Sequence, residues 1–367
     1  MITSLLQWFE QAGWHVPAVF FYLSTRMILA ALFSLMFTIC FGPFFIRKLT
    51  ELKMGQPIRK TEAPRLGELH AKKDNTPTMG GILIVASGLS SLLLFSRLTT
   101  PYTWILFIST IWLGVIGGYD DYLKLKHKNP KGLSGRKKFL GQLLLAIGIG
   151  VYLFWPAKES IPYFFPFFKN PIFILSGVGL IVAFLITLFV IVGGSNSVNL
   201  TDGLDGLASG LLVFVFLVFA LIAFLSNNLK IANYLNLLYI EGSGEIAVYL
   251  SALFGASLGF LWFNGHPAQV FMGDVGSLTL GGIMGVSAVL LRREFLLAIV
   301  GGIFVAEALS VILQVGFYKW KKRRIFLCAP LHHHFEYKGW PETKVVLRFW
   351  IIGLILAMLG LASIKFQ

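Results

Sequence analysis

Charge is what this sequence lacks most. Of its 367 residues only 13% are Asp, Glu, Lys or Arg, against about 25% in ordinary globular proteins. Hydrophobic residues make up 56%, and the mean hydropathy is +0.76. A water-soluble particle of this composition would have to expose large apolar patches. The same scarcity excludes a disordered chain and a coiled coil, which both depend on abundant polar and charged residues. Cysteine is scarce too. Cys40 and Cys328 are too few for a disulfide scaffold, so free thiols are expected. The apolar runs lack the period-two alternation of a membrane barrel. P-loop and dinucleotide-binding glycine patterns are missing. The first basic residue is Arg26, so the charged start of a secretory signal is missing and the first apolar run is expected to be retained. What remains is an all-α, polytopic integral membrane protein.

A helix needs about 20 apolar residues to cross the bilayer core. Ten runs qualify: 19–46, 78–96, 102–123, 137–155, 172–193, 203–226, 245–262, 273–291, 295–319 and 346–365. Ten spans put both termini on one side of the membrane. The segments 47–77, 124–136, 194–202, 263–272 and 320–345, with their flanking helix ends, hold roughly three quarters of the 31 Lys and Arg residues. Positive residues stay inside, so these loops are expected in the cytoplasm and both termini in the periplasm. The whole chain, 1–367, reads as one transmembrane domain. The net charge of +14 is mostly topology and needs no nucleic acid; the remainder suits anionic lipid or an anionic substrate. Trp8, Phe9 and Trp14 suit a membrane interface.

This topology gathers polar residues on the inner face. Asp120 and Asp121 end the third span, where two adjacent carboxylates repel one another unless a cation lies between them and where a helix C-terminus disfavours anions. They are either a solvated helix end beside Lys124 and Lys126 or part of a metal-phosphate site. Asn199, Asp202 and Asp205 recur every three residues and share a face if that segment is helical; a helix cap followed by a turn is the plainer alternative. Asp274, flanked by Gly273 and Gly276 and preceded by Asn264 and Phe271, is either a cap or a ligand set where backbones come close. Lys72 and Lys73 precede Thr76-Pro77-Thr78, an arrangement that either anchors a span or binds an anion at a helix start. His332, His333 and His334 are consecutive and do not converge on one zinc ion, and neither Cys-x-x-Cys nor His-Glu-x-x-His accompanies them; contact with phosphate fits them better. Carboxylates without thiolates favour Mg²⁺, or Mn²⁺, which often complete their shells with substrate phosphates. The inner face therefore reads as a site for phosphoryl chemistry on an anionic, nucleotide-like substrate.

These motifs are similar to those of the phospho-N-acetylmuramoyl-pentapeptide transferases, within the polyprenyl-phosphate N-acetylhexosamine-1-phosphate transferase superfamily. The resemblance runs from Arg47 to the C-terminus. It rests on Thr76 to Gly81, Asp120-Asp121-Tyr122, Val198 to Leu207, Phe260 to Ser277 and Ala329 to Trp340. It implies transfer of phospho-MurNAc-pentapeptide from UDP-MurNAc-pentapeptide to undecaprenyl phosphate, giving lipid I and UMP in peptidoglycan synthesis. It also implies Mg²⁺, a homodimer, and an inner-membrane location with the active site on the cytoplasmic face. By the same resemblance, Asp274 is the metal ligand, with Asp120 and Asp121 beside it as catalytic aspartates. Lys73 and His332 join the catalytic set. Gly203, Leu204, Asp205, Asn264 and Phe271 form the uridine pocket. Thr78, Asn199, Asp202 and Gly273 are neighbouring substrate contacts, and His333 and His334 lie toward the phosphate or sugar.

Two other classes stay in view. A sister transferase would take UDP-N-acetylglucosamine as donor. A transporter would find its best support in Glu307, an acid inside the ninth span, since intramembrane acids are often functional. A hydrogen-bonded packing residue is the favoured reading of Glu307, and the broken mid-membrane helices and internal repeats of transporters are not evident.

Overall fold

The structure is a computed structural model, and it describes residues 2–52, 76–127, 132–155 and 160–365. In chain order its main elements are α1 (Ile2–Gln11), α2 (Leu23–Glu51), α3 (Gly81–Phe95), α4 (Pro101–Lys126), α5 (Gly135–Phe154), β1 (Ile161–Tyr163), β2 (Phe173–Leu175), α6 (Leu180–Thr201), α7 (Leu207–Ser226), α8 (Leu229–Tyr234), α9 (Ser243–Asn264), α10 (Gly273–Leu290), α11 (Glu294–Val300), α12 (Gly302–Lys321), α13 (Leu331–Tyr337) and α14 (Glu342–Lys365). Among the described residues nine helices are long and apolar enough to cross a membrane: α2, α4, α5, α6, α7, α9, α10, α12 and α14. The helical, membrane-spanning class read from the sequence is therefore correct. The small antiparallel ladder of β1 and β2, with Ile161 opposite Leu175, is the one departure from helix among the described elements.

The largest changes to the expected spans come at four places. The run 78–96 yields only the 15-residue α3, about 22 Å long, because its first residues turn, with Met79 at φ 70°, and pair with the chain before α10. The Phe271 N–H donates to the Pro77 carbonyl at 2.8 Å, and Gly80 and Gly81 donate to the Phe271 and Met272 carbonyls, both at 2.8 Å. The run 172–193 becomes β2 and then α6, which continues through the expected loop to Thr201. The run 203–226 becomes helical only at Leu207, after a turn in which Gly206 has φ 76°. Finally, 295–319 is broken at Gly301 into α11 and α12, as paired glycines allow.

Three helices form the centre. α7, α9 and α10 are buried along most of their length. α9 packs on α2 and α7, and α10 packs on α6 and α4. Lipid-like surroundings give no hydrophobic drive between helices, so contact rests on small residues and interhelical hydrogen bonds. Gly255 lies against the Ala31 carbonyl of α2, and Gly281 against the Gly194 carbonyl of α6; a β-carbon at either would overlap backbone. Polar side chains add ties between helices. Tyr249 and Thr110 share a hydrogen bond of 2.7 Å, and Ser195 donates to the Leu278 carbonyl at 2.8 Å. The outer helices keep large apolar residues exposed, among them Ile28, Phe189, Leu313 and Met358.

At one end of the bundle a buried ion pair joins three elements. Arg26 near the start of α2 pairs with Glu245 near the start of α9. Arg26 Nε also donates to the Phe95 carbonyl at 2.9 Å, and Glu245 accepts from the Arg97 N–H at 2.8 Å. Removing one partner leaves a buried charge uncompensated. Glu245→Gln is expected to destabilise the fold by about 3–5 kcal/mol, read as a lower unfolding midpoint in detergent. The Arg26→Leu/Glu245→Leu pair should recover most of that loss.

Candidate active site

At the opposite end, several helix termini converge. The C-terminal ends of α4, α6 and α9 meet the N-terminal ends of α5, α7 and α10. The centre of this region is a cluster of three carboxylates, Asp120 and Asp121 from α4 and Asp274 from α10, each offering an oxygen within 4.8 Å of the others. Asp120 is fully buried, and Asp121 is 2% exposed.

The packing explains why acids tolerate this place. A carboxylate at the C-terminal end of α4 faces the negative end of that helix dipole. The N-terminus of α10 offsets this, because it points at Asp121, whose Oδ2 accepts the Val275 N–H at 3.0 Å. Helix N-termini carry free N–H groups and favour anions. The approach needs glycine at two positions. A β-carbon on Gly117 would overlap the Asp274 backbone, and Gly273 has φ 73° with no room for a β-carbon beside Asp121. Asp120 Oδ1 accepts the Leu133 N–H at 2.6 Å.

Two lysines supply the opposing charge. Lys124 Nζ lies 2.6 Å from Asp120, 3.4 Å from Asp121 and 3.0 Å from Asp274. Lys138 Nζ lies 3.0 Å from Asp120 and 2.6 Å from Asp274. Three carboxylates thus share two ammonium groups. The donors are all oxygen, gathered, with Asp120 and Asp121 buried and Asp274 partly so, and cations already sit among them. That arrangement fits a hard divalent ion such as Mg²⁺. Asn199 Nδ2 donates to Asp274 Oδ1 at 3.1 Å and to Ser277 Oγ at 2.9 Å, fixing the Asp274 side chain from α6.

The turn between α6 and α7 forms a second part of the site. Asn199, Asp202 and Asp205 do not share a helical face, because α6 ends at Thr201 with Asp202 as its C-cap and a turn follows, the second of the two readings the sequence left open. Asn199 faces Asp274, whereas Asp205 turns away to His266 Nδ1 and the Ala268 N–H, both at 3.1 Å. Asp202 lies between them, and burial, together with the charges of Asp274, Asp121 and Asp205, pushes its carboxyl up to about 7. The turn is held from several sides. The Asp205 N–H donates to Glu342 at 2.8 Å, Trp350 Nε1 donates to the Gly206 carbonyl at 3.2 Å, and Asn264 accepts the Gly206 N–H at 3.2 Å. Asn264 also accepts from Ser209 at 2.9 Å and donates to the Val270 carbonyl at 2.9 Å. Its amide is therefore engaged in holding the turn. Leu204 is buried and Gly203 exposed.

The remaining expected residues fall around this centre. Thr78 is buried, close to Gly273, and Phe271 is half-buried on the paired segment. His332 is 1% exposed. His333 Nδ1 lies 2.6 Å from Glu336, and His334 Nδ1 accepts the Leu327 N–H at 3.1 Å. Lys73 lies outside the described residues. Two residues of this centre were not singled out from the sequence, Lys138 and Glu342. Lys138 did carry a signal: a lysine in the first turn of a span sits at the positive end of its helix and calls for an anion.

The sequence has known relatives. Residues 103–292 match the family described as Glycosyl transferase family 4, and residues 73–85 match the Phospho-N-acetylmuramoyl-pentapeptide-transferase signature 1. The chain is 59% identical to the Phospho-N-acetylmuramoyl-pentapeptide-transferase of Protochlamydia amoebophila, over 96% of each chain. It is 51% identical to the protein of that name from Thermodesulfovibrio yellowstonii and 48% identical to that from Desulfotalea psychrophila, each over 95% of both chains. The chain belongs to the phospho-N-acetylmuramoyl-pentapeptide-transferase family and is a transferase.

The charge balance of the cluster predicts a metal response. In Lys138→Met one cation is lost from Asp120 and Asp274. Mn²⁺, followed by electron paramagnetic resonance, is expected to bind roughly tenfold or more tightly than to the parent. Unchanged affinity would mean the ion binds elsewhere.

Proposed function

We propose that this family member transfers phospho-MurNAc-pentapeptide from UDP-MurNAc-pentapeptide to undecaprenyl phosphate, releasing UMP and forming lipid I. The observation that carries the reading is the Asp120–Asp121–Asp274 cluster with Lys124 and Lys138, set at one end of an apolar helical bundle. Both substrates bring phosphate, and the acceptor brings an apolar chain that suits lipid. The excess of Lys and Arg in the loops at this end supports a cytoplasmic active site in the inner membrane. With α3 counted beside the nine longer helices, ten spans would place both termini in the periplasm. A homodimer belongs to the same proposal.

The chemistry needs charge control more than a general base. A phosphate monoester has a second pKa of about 6, so the acceptor phosphate is already mostly dianionic at neutral pH. The harder task is to bring two anionic phosphates together. Asp274, with Asp120 and Asp121, would hold Mg²⁺, which supplies charge neutralisation and Lewis acidity to the departing UMP. Asn199 keeps the Asp274 carboxylate oriented. Lys124 and Lys138 provide positive charge beside the carboxylates, and Lys73 is proposed to add to it. The turn at Gly203–Leu204–Asp205, with Phe271, is proposed to receive the uridine. The acceptor phosphate attacks the donor phosphorus directly, the bond to UMP breaks in the same step, and UMP leaves with the electron pair.

Purified protein given both substrates and Mg²⁺ is expected to release UMP only when the lipid phosphate is present. Asp274→Ala should reduce the rate by about a thousandfold or more. Release with UDP-N-acetylglucosamine but not with the muramoyl donor would reassign the donor. A covalent aspartyl-phosphate that accumulates and is discharged by UMP would contradict the single-step mechanism.

A further inference from the structure

Glu307 is a carboxylic acid buried in the apolar bundle, fully inaccessible in α12, and nothing in the transfer chemistry uses it. Its surroundings show what it does. The break at Gly301 brings the start of α12 beside the start of α13, the short helix that carries His332, His333 and His334. The N-cap of α13 is Pro330, which has no side chain able to cap. In an apolar setting the first N–H groups of a helix must still find acceptors. Glu307 provides both: Oε2 accepts the Leu331 N–H at 2.7 Å, and Oε1 accepts the His332 N–H at 3.1 Å. A carboxylate also suits the positive end of the helix.

The contact continues toward the site. His332 Nδ1 lies 3.3 Å from Glu307 Oε2, and neither ring nitrogen of His332 makes a hydrogen bond among the described residues. The opposite nitrogen, Nε2, abuts Gly203, where a β-carbon would overlap it. Gly203 lies in the turn that carries Asp202 and Asp205. The chain of contact therefore runs from Glu307 to His332 to the Gly203 turn.

We propose that Glu307 is a positioning residue: it seats His332 against Gly203 and so fixes the turn that receives the nucleotide-sugar donor. This rests on the donor site proposed above. Glu307 acts through α13 and His332, not as a proton carrier across the membrane.

A double-mutant cycle tests the coupling. Glu307→Ala is expected to lower kcat/KM for the muramoyl donor by about 100-fold, with KM for the lipid phosphate unchanged. Glu307→Gln keeps one acceptor and should lose about tenfold. The Glu307→Ala/His332→Ala protein should fall within about threefold of His332→Ala alone, because residues acting as one unit are not additive. Amide hydrogen exchange gives a readout independent of turnover. The Asp205 and Gly206 N–H groups should exchange faster in Glu307→Ala and in His332→Ala, while α9 and α10 stay protected. If the parent protein transfers nothing to lipid phosphate, the donor reading fails, and the exchange data still test the coupling. Additive losses in the cycle, or unchanged exchange in the turn, would overturn the proposal. So would a Glu307→Gln protein that fails to fold while His332→Ala folds, since that places the work of Glu307 in the bundle.

Discussion

The structure depends on burying negative charge where helix ends meet. Two aspartates at the end of α4 would be unfavourable against their own helix dipole and against each other. They are held because the N-terminus of α10 points at Asp121 and because Lys124 and Lys138 stand between the carboxylates. Close approach of α4 to α10 at Gly117 makes this geometry possible. The central helices, rich in small residues, bring those termini within reach of one another. The site is therefore a property of how the bundle packs and not of any one loop.

Much of this was legible in the sequence. Scarce charge and long apolar runs gave a helical membrane protein, and the bias of Lys and Arg grouped Asp120, Asp121, Asn199, Asp202, Asp205 and Asp274 at one end. The structure places all six there. Composition and periodicity did not show where helices stop. Thr76 to Gly80 looks like the start of a span, yet its backbone pairs with the chain before α10, a long-range contact with no local signature. Gly203 to Gly206 reads as helix by its apolar continuation, but the turn is fixed by Glu342, Trp350 and Asn264, which are distant in sequence or engaged from other helices. Asp205 consequently points away from Asp202 and toward His266.

Glu307 shows the same limit from the other side. Sequence alone marks it as an acid in an apolar run and leaves open a proton relay or a packing role. Only the break at Gly301, together with the return of the chain at Pro330, reveals that it caps α13. Glu307 is paired for a local structural reason, and that reason connects it to the site.

The three carboxylates are proposed to act as one metal-holding unit facing the donor phosphates. Pulsed electron paramagnetic resonance of the Mn²⁺-loaded protein tests it most directly. On addition of UDP-MurNAc-pentapeptide, the Mn²⁺ signal should gain a phosphorus-31 hyperfine coupling, and Asp274→Asn should abolish it. Bound Mn²⁺ that shows no phosphorus coupling, or a coupling that survives in Asp274→Asn, would contradict the account.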